Sequence, residues 1–256
     1  MAIRFLQTNR YTASTTTLTA STSQAALPVA ASQNPDRSYV WRSLQQVGVQ
    51  TIDIDLGSVL DVTTVAVANV KLLGSSALEL HQRGDAASPG AAVLVATLAT
   101  QDADTRAVAA FFTQQSHRHW QLKWTTAGGS DYAELGYAFL GTYLETSVQT
   151  APPTFSRADP SVARFSLDRQ ATFAQRTSFA YGDWEWRGIR EQSDVDLLRT
   201  LYRTFGRRAP FFAVFDTSKS WTTWLCRLTS DVVITPINNP ASNWYCNVRV
   251  GWEEAA

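Results

Sequence analysis

From Thr51 onward the chain alternates with a period of two: Ile52, Ile54 and Leu56 point one way while Asp53 and Asp55 point the other, before Gly57-Ser58 offers a turn. Successive side chains of an extended strand leave on opposite faces, so the pattern specifies a half-buried β-strand. Thr64 to Leu73 is apolar on both faces, with Val65 and Val67 against Ala66, Ala68 and Val70, which suits a strand enclosed between layers. Leu78 and Leu80, Val93 to Leu98, Trp120 to Trp124, then Leu135, Tyr137, Phe139 and Tyr143 continue the theme. Turns are expected at Gly74-Ser75, Ser88-Pro89-Gly90 and Gly128-Gly129. Short strands at this spacing predict a β-sandwich or jelly roll.

The chain of 256 residues is long enough for two domains of ordinary size. The expected junction is Gln149-Thr150-Ala151-Pro152-Pro153-Thr154, where two prolines forbid helix and interrupt a ladder. This gives one domain over 1–150 and another over 151–256. Residues 11–33, rich in Thr, Ser and Ala, read as an irregular or loosely stranded lead-in that wraps the first domain.

The second domain is mostly strands as well, with Ala163, Phe165 and Leu167 on one face, then Phe179 to Tyr181, Trp184 to Trp186, Phe211 to Phe215, Trp221 to Leu228 and Trp244 to Trp252. One helix interrupts it, over about 194–205. Ser193 precedes Asp194-Val195-Asp196 as a capping-box variant, Val195, Leu198, Leu201, Tyr202 and Phe205 recur at helical spacing, and Gly206 supplies the stop. The fold class is therefore mainly all-β, two sandwich domains with one helix flanking the second.

Composition excludes several classes. Charged residues are 17% of the chain, hydrophobic residues 45%, and the formal net charge is zero, so neither disorder nor a polyanion-binding surface is indicated. Residues 1–150 hold 9 basic and 11 acidic side chains, and 151–256 hold 13 and 11, a lean of −2 against +2. No run approaches the roughly 18 to 20 apolar residues that span a bilayer, and the start shows no secretion signal. Only three basic residues are lysine, Lys71, Lys123 and Lys219, while nine tryptophans are present. Arg and Trp anchor protein interfaces, although arginine-biased codons and core tryptophans give the same composition. Cys226 and Cys246 each share a strand face with apolar residues and read as buried free thiols.

Reaction chemistry finds no motif: there is no Gly-x-Ser-x-Gly, no phosphate-cradling loop and no His-Glu-x-x-His. His117 and His119 share a strand face and would need Asp131 or Glu134 to complete a metal site; solvent-facing histidines are the plainer reading. Asp53 and Asp55 are same-face carboxylates for acid/base work or calcium, or simply polar residues on the wet side of a strand. Arg83-Gly84-Asp85 spells an integrin-type tripeptide where ordinary turn chemistry also suffices. Arg207-Arg208 sits at a helix C-terminus, where cations suit the dipole, and no basic cluster alternates with exposed aromatics as specific nucleic-acid recognition would require. No catalytic residue, metal or cofactor is expected.

Leu27 to Ser32, Tyr39-Val40-Trp41-Arg42-Ser43, Thr51 to Gly57 and His119 to Trp124 together resemble the discoidin, galactose-binding-like sandwich over about residues 10 to 145. The Trp-Arg-Ser segment followed by the Asp-Leu-Gly strand and Val-Ala-Val-Ala-Asn is similar to modules of long-tailed bacteriophage tail proteins. Trp184-Glu185-Trp186, the helix after Ser193 and Gly206 to Phe212 resemble distal-tail proteins, in which a tail-tube-like β-sandwich forms a ring. The familiar order of the two domains is the reverse of the one here.

The resemblance implies a virion tail-tip or baseplate component, made in the host cytoplasm, whose second domain forms a trimeric or hexameric ring. Tube, hub and tape-measure proteins would be its neighbours. Trp184, Trp186, Arg207, Arg208 and Trp221 are the expected subunit contacts. The alternative is a lectin-like module or adhesin for cell-surface glycan, with Tyr39, Trp41, His81, Gly128 and Tyr132 as contacts, because aromatic faces and loop donors suit sugars, although a core or rim anchor is the plainer reading of Trp41.

Overall fold

A computed structural model describes residues 3–36, 38–44, 47–71, 77–86, 88–98, 107–127, 132–146, 156–158, 162–165, 171–174, 179–189, 192–217, 222–237 and 245–255. Two compact units result, one of residues 2–146 with 211–225, the other of residues 147–210 with 226–256. The first unit's strands are β1 (Arg4–Asn9), β2 (Thr17–Ala20), β3 (Trp41–Arg42), β4 (Val47–Ala68), β5 (Val70–Lys71), β6 (Leu78–Gln82), β7 (Val93–Leu98), β8 (Ala107–Ala127), β9 (Glu134–Leu135) and β10 (Ala138–Glu145). Then follow β11 (Ser156–Ala158), β12 (Val162–Phe165), β13 (Ala171–Ala174), β14 (Phe179–Ile189), helix α1 (Gln192–Phe205), β15 (Phe211–Val214), β16 (Thr223–Leu228), β17 (Val233–Ile237) and β18 (Tyr245–Glu254).

The alternating run becomes one continuous strand of 22 residues, β4, paired antiparallel along the 21 residues of β8. The expected turn at Gly57-Ser58 is corrected. Asp55 faces His119 and Leu60 faces His117, so residues 56–59 bulge out opposite Arg118 alone and the same two strands resume pairing. Gly57 has φ +78, a conformation that a glycine adopts without strain. Within this unit the strands run β15-β1-β10-β4-β8-β6-β7, with β2 beside β4, and β3-β9-β5 form a second, small sheet.

Both sheets share one core. Ile52, Ile54 and Leu56 from β4 meet Trp120, Leu122 and Trp124 from β8 and Trp41 from β3, all buried. The inward set is the one the alternation selected, because a one-residue slip would expose every member. Gly141 on β10 lies so close to β1 that an added Cβ would stand 1.9 Å from the Thr8 carbonyl oxygen, at the point where the β1–β10 register shifts.

The division at 150 needs one correction: β15, expected in the second domain, belongs to the first unit. Arg4 and Phe5 of β1 pair with Val214 and Ala213, the Phe5 ring meets Phe211 at 6.1 Å, and Phe212 stacks on Tyr137 at 5.7 Å. A strand buried at every position needs a place inside a sheet, and the Pro-Pro segment carries no information about which sheet supplies it.

In the second unit β18 is central. It pairs with β14 along one edge, and with residues 226–228 of β16 and with β17 along the other, while β11 lies beside β14 and β12 pairs β13. Trp184 stacks on Trp252 at 5.5 Å and meets Trp186 edge-on at 6.5 Å, which builds the interior of this unit from aromatic rings. The helix begins two residues earlier than expected, at Gln192, so Ser193 lies inside the first turn. Val195, Leu198 and Leu201 are its buried stripe, as the spacing predicts. Gly206, with φ +54, ends it and donates to the Tyr202 carbonyl at 2.7 Å.

Candidate functional site

Asp53 and Asp55 stand on the outward face of β4, and the register decides what surrounds them. Asp53 lies across from Gln121 of β8, which lies across from His81 of β6; Asp55 lies across from His119. Asp53 Oδ1 accepts from Arg83 Nη1 and from Gln121 Nε2, both at 2.7 Å. Arg118 binds Asp55 through two nitrogens, Nε to Oδ1 at 2.7 Å and Nη2 to Oδ2 at 2.8 Å, while Asp55 Oδ1 also accepts the Gly57 N–H at 2.8 Å. The Arg118 hydrogen bonds, against the opposing effect of burial, hold the Asp55 carboxyl down to about 2, and Arg118 is raised reciprocally. The two ion pairs form a ledge on the wet side of the sheet.

The turn after β6 is fastened to its rim. His119 Nε2 lies 2.8 Å from the Ala86 carbonyl, the Gly90 N–H returns to the Arg83 carbonyl at 2.7 Å, and Arg83 Nε donates to the Gly90 carbonyl at 3.0 Å. Asp85 accepts from His117 Nδ1 at 3.0 Å and from the Arg118 N–H at 3.2 Å, and the His117 bond first of all lowers its carboxyl. Both charged side chains of Arg83-Gly84-Asp85 thus serve the turn, and the tripeptide is a piece of local architecture. His81 Nε2 meets Glu79 at 2.8 Å, and the buried Nδ1 of His81 has no hydrogen-bond partner among the described residues.

The expected sugar contacts do not converge. Tyr39 precedes β3 and is exposed, and Tyr132 precedes β9. Because Trp41 pairs with Leu135 and Arg42 with Glu134, an antiparallel register, these two tyrosines lie at opposite ends of the small ladder. Trp41 is a core residue, the plainer of its two readings, and not a contact: it is fully buried, edge-on to Trp124 at 5.3 Å, with Nε1 donating to the Thr22 carbonyl at 3.2 Å. Only His81 belongs to the ledge. Gly128 lies outside the described residues.

Of the two partners the metal alternative names, Asp131 lies outside the described residues and Glu134 accepts from Arg42 at 2.7 Å; no group of three metal-ligating side chains occurs among the described residues. Trp184 and Trp186, expected at a subunit interface, are interior residues of the second unit, a correction that follows from their mutual packing with Trp252. Arg207 pairs with Asp231 at 2.9 Å, Arg208 is exposed, and Trp221 lies outside the described residues. Sequence reasoning missed Arg83 and Arg118, the cations that organise the ledge. Their partners lie 30 and 63 positions away in the chain, and only the strand register brings them together.

No family model and no curated protein matches the chain. Among solved structures, chitosan-binding module 1 of the chitosanase/glucanase from Paenibacillus sp. IK-5 is 21% identical, covering 53% of this chain and 99% of that one with a TM-score of 0.45. The family 32 carbohydrate-binding module of Clostridium perfringens NanJ, in complex with galactose, is 14% identical, covering 56% and 99% with a TM-score of 0.42. A Ruminococcus gnavus GH29 fucosidase is 12% identical, covering 54% of this chain and 27% of its own length with a TM-score of 0.45. Likenesses this distant assign no ligand.

Proposed function

We propose that the first unit is a glycan-binding module and that the ledge around Asp53 and Asp55 holds the sugar, by binding and without catalysis. The observation that carries this reading is the pair of adjacent carboxylate–guanidinium contacts on one sheet face, Asp53 with Arg83 and Asp55 with Arg118, each with roughly a third of its carboxylate side chain exposed, 38% and 32%. Sugar hydroxyls present donors and acceptors together, and planar groups already oriented by their neighbours meet them at little entropic cost. Leu94, across the ladder from His81 and 53% exposed, offers an apolar surface beside the polar row.

The tail-tip reading has less support. Trp184 and Trp186, which it placed between subunits, are interior, and Arg207 is engaged by Asp231. The glycan reading was the alternative in the sequence and is the one these residues favour, though at a different place on the unit than the loop tips around Trp41.

A glycan microarray followed by calorimetry on the purified chain tests it. Wild type is expected to retain at least one sugar, with galactose, N-acetylgalactosaminyl-β-1,3-galactose and chitotriose as first probes because the matching modules were solved with them. Asp53→Ala and Arg83→Ala are expected to weaken binding by about tenfold or more, the loss of one charge-assisted hydrogen bond, while circular dichroism stays unchanged. A folded wild type that retains no sugar, or variants that bind as wild type does, removes the proposal.

A further inference from the structure

We infer that the glycan taken by this ledge is uncharged, an inference that rests on the glycan-binding reading above. The ledge carries charge of both signs, and the geometry cancels it locally. Arg118 offers Asp55 both nitrogens of one guanidinium edge, and Arg83 donates to Asp53 and to the Gly90 carbonyl. Lys123, on the same face of β8, stands across the ladder from Glu79, whose carboxylate lies 2.8 Å from His81 Nε2. An acidic sugar therefore meets only guanidinium groups whose charge a carboxylate already balances. Its carboxylate would either displace Asp55 or Asp53 or share a guanidinium with it, and in both cases would stand beside a second carboxylate, a like-charge contact that disfavours binding.

A basic amino sugar fares no better. Asp55 already accepts three hydrogen bonds, from Arg118 twice and from Gly57, and Asp53 Oδ1 accepts two. Two guanidinium groups adjoin the same carboxylates, so an incoming ammonium would face cations as well as anions. What the ledge keeps for a ligand is neutral chemistry. Asp53 Oδ2 takes no hydrogen bond from a described residue and can accept a hydroxyl, while the outer edge of Arg83 can donate to one. The Asp55 carboxyl, held down to about 2 by Arg118, stays ionised from about pH 4 upward, so the cancellation persists across the range in which a sugar would be bound.

Calorimetry with three trisaccharides on the whole chain decides the matter: a neutral one such as tri-N-acetylchitotriose or a galactose trimer, an acidic galacturonate trimer and a basic glucosamine trimer. Each is measured at ~50 mM and ~500 mM salt, on either side of the ionic strength at which exposed charges are screened beyond about 10 Å. The expected result is binding of a neutral sugar alone, with less than about a twofold change between the two salts. Asp53→Asn, which removes one negative charge and loosens Arg83, is expected to gain measurable affinity for the galacturonate trimer. If wild type prefers the acidic or the basic trimer, or if neutral-sugar affinity collapses with salt, the inference fails while the glycan-binding reading survives. If none of the three classes binds, the reading itself fails and takes the inference with it.

Discussion

Arg118 grips Asp55 with both nitrogens of one guanidinium edge, at 2.7 and 2.8 Å, across a point where four residues of β4 face this single arginine of β8. The bulge and the ion pair are one device. Asp55 also accepts the Gly57 N–H, so the carboxylate ties the start of the bulged segment to its own strand and to the next.

The first prediction concerns pH. The folded Asp55 carboxyl lies at about 2, below the ordinary unfolded value of about 3.9, so its contribution to stability is complete above about pH 4 and is lost as pH falls toward 2. Carbon-detected NMR titration is expected to place this midpoint near 2 in wild type and nearer the ordinary carboxylate value in Arg118→Met. A midpoint that does not move would show that the guanidinium is not the cause.

Trp41 and Tyr39 separate core from surface within three residues of sequence. Trp41→Ala removes a fully buried ring packed on Trp124 and is expected to cost about 3–5 kcal/mol in urea unfolding. Tyr39→Ala changes a side chain that is 50% exposed and is expected to stay within about 0.5 kcal/mol. Equal effects from the two variants would contradict the placement of β3.

Gly141 is required by close approach of two backbones. A methyl group there would overlap the Thr8 carbonyl oxygen, and a strand cannot yield at an interior ladder position without loss of its hydrogen bonds. Gly141→Ala is expected to destabilise by about 3 kcal/mol or to prevent accumulation of folded protein, read from the melting temperature and the soluble yield. A melting temperature equal to that of wild type would mean that β1 and β10 are not paired in this register.

Both cysteines are buried thiols outside any disulfide, and burial, then the neighbouring Glu254 charge, raises the Cys226 thiol well above its ordinary value. A thiol reagent at neutral pH is therefore expected to label neither residue in the native chain and to label both in guanidinium. Rapid labelling of Cys226 under native conditions would contradict its burial on β16 beside β18.

Much of this architecture was legible in the chain itself. Strict alternation over Ile52, Ile54 and Leu56 determined which face of β4 is buried, since side-chain direction along a strand is a local property. The spacing of Val195, Leu198 and Leu201 with Gly206 located the helix for the same reason, and apolar neighbours along their strands marked Cys226 and Cys246 as buried thiols. What only tertiary structure decided is register and sheet membership. Nothing local to Asp55 tells that Arg118 will face it, that residues 56–59 will bulge where a turn was expected, or that Phe211 to Val214 will return to pair with β1. Trp41, Trp184 and Trp186 show the same limit: an aromatic ring has the same local signature whether it anchors an interface or fills a core, and its surroundings are set by partners distant in sequence. The ledge arises from such long-range pairings, because a strand states which way each side chain points and leaves its neighbours to the fold.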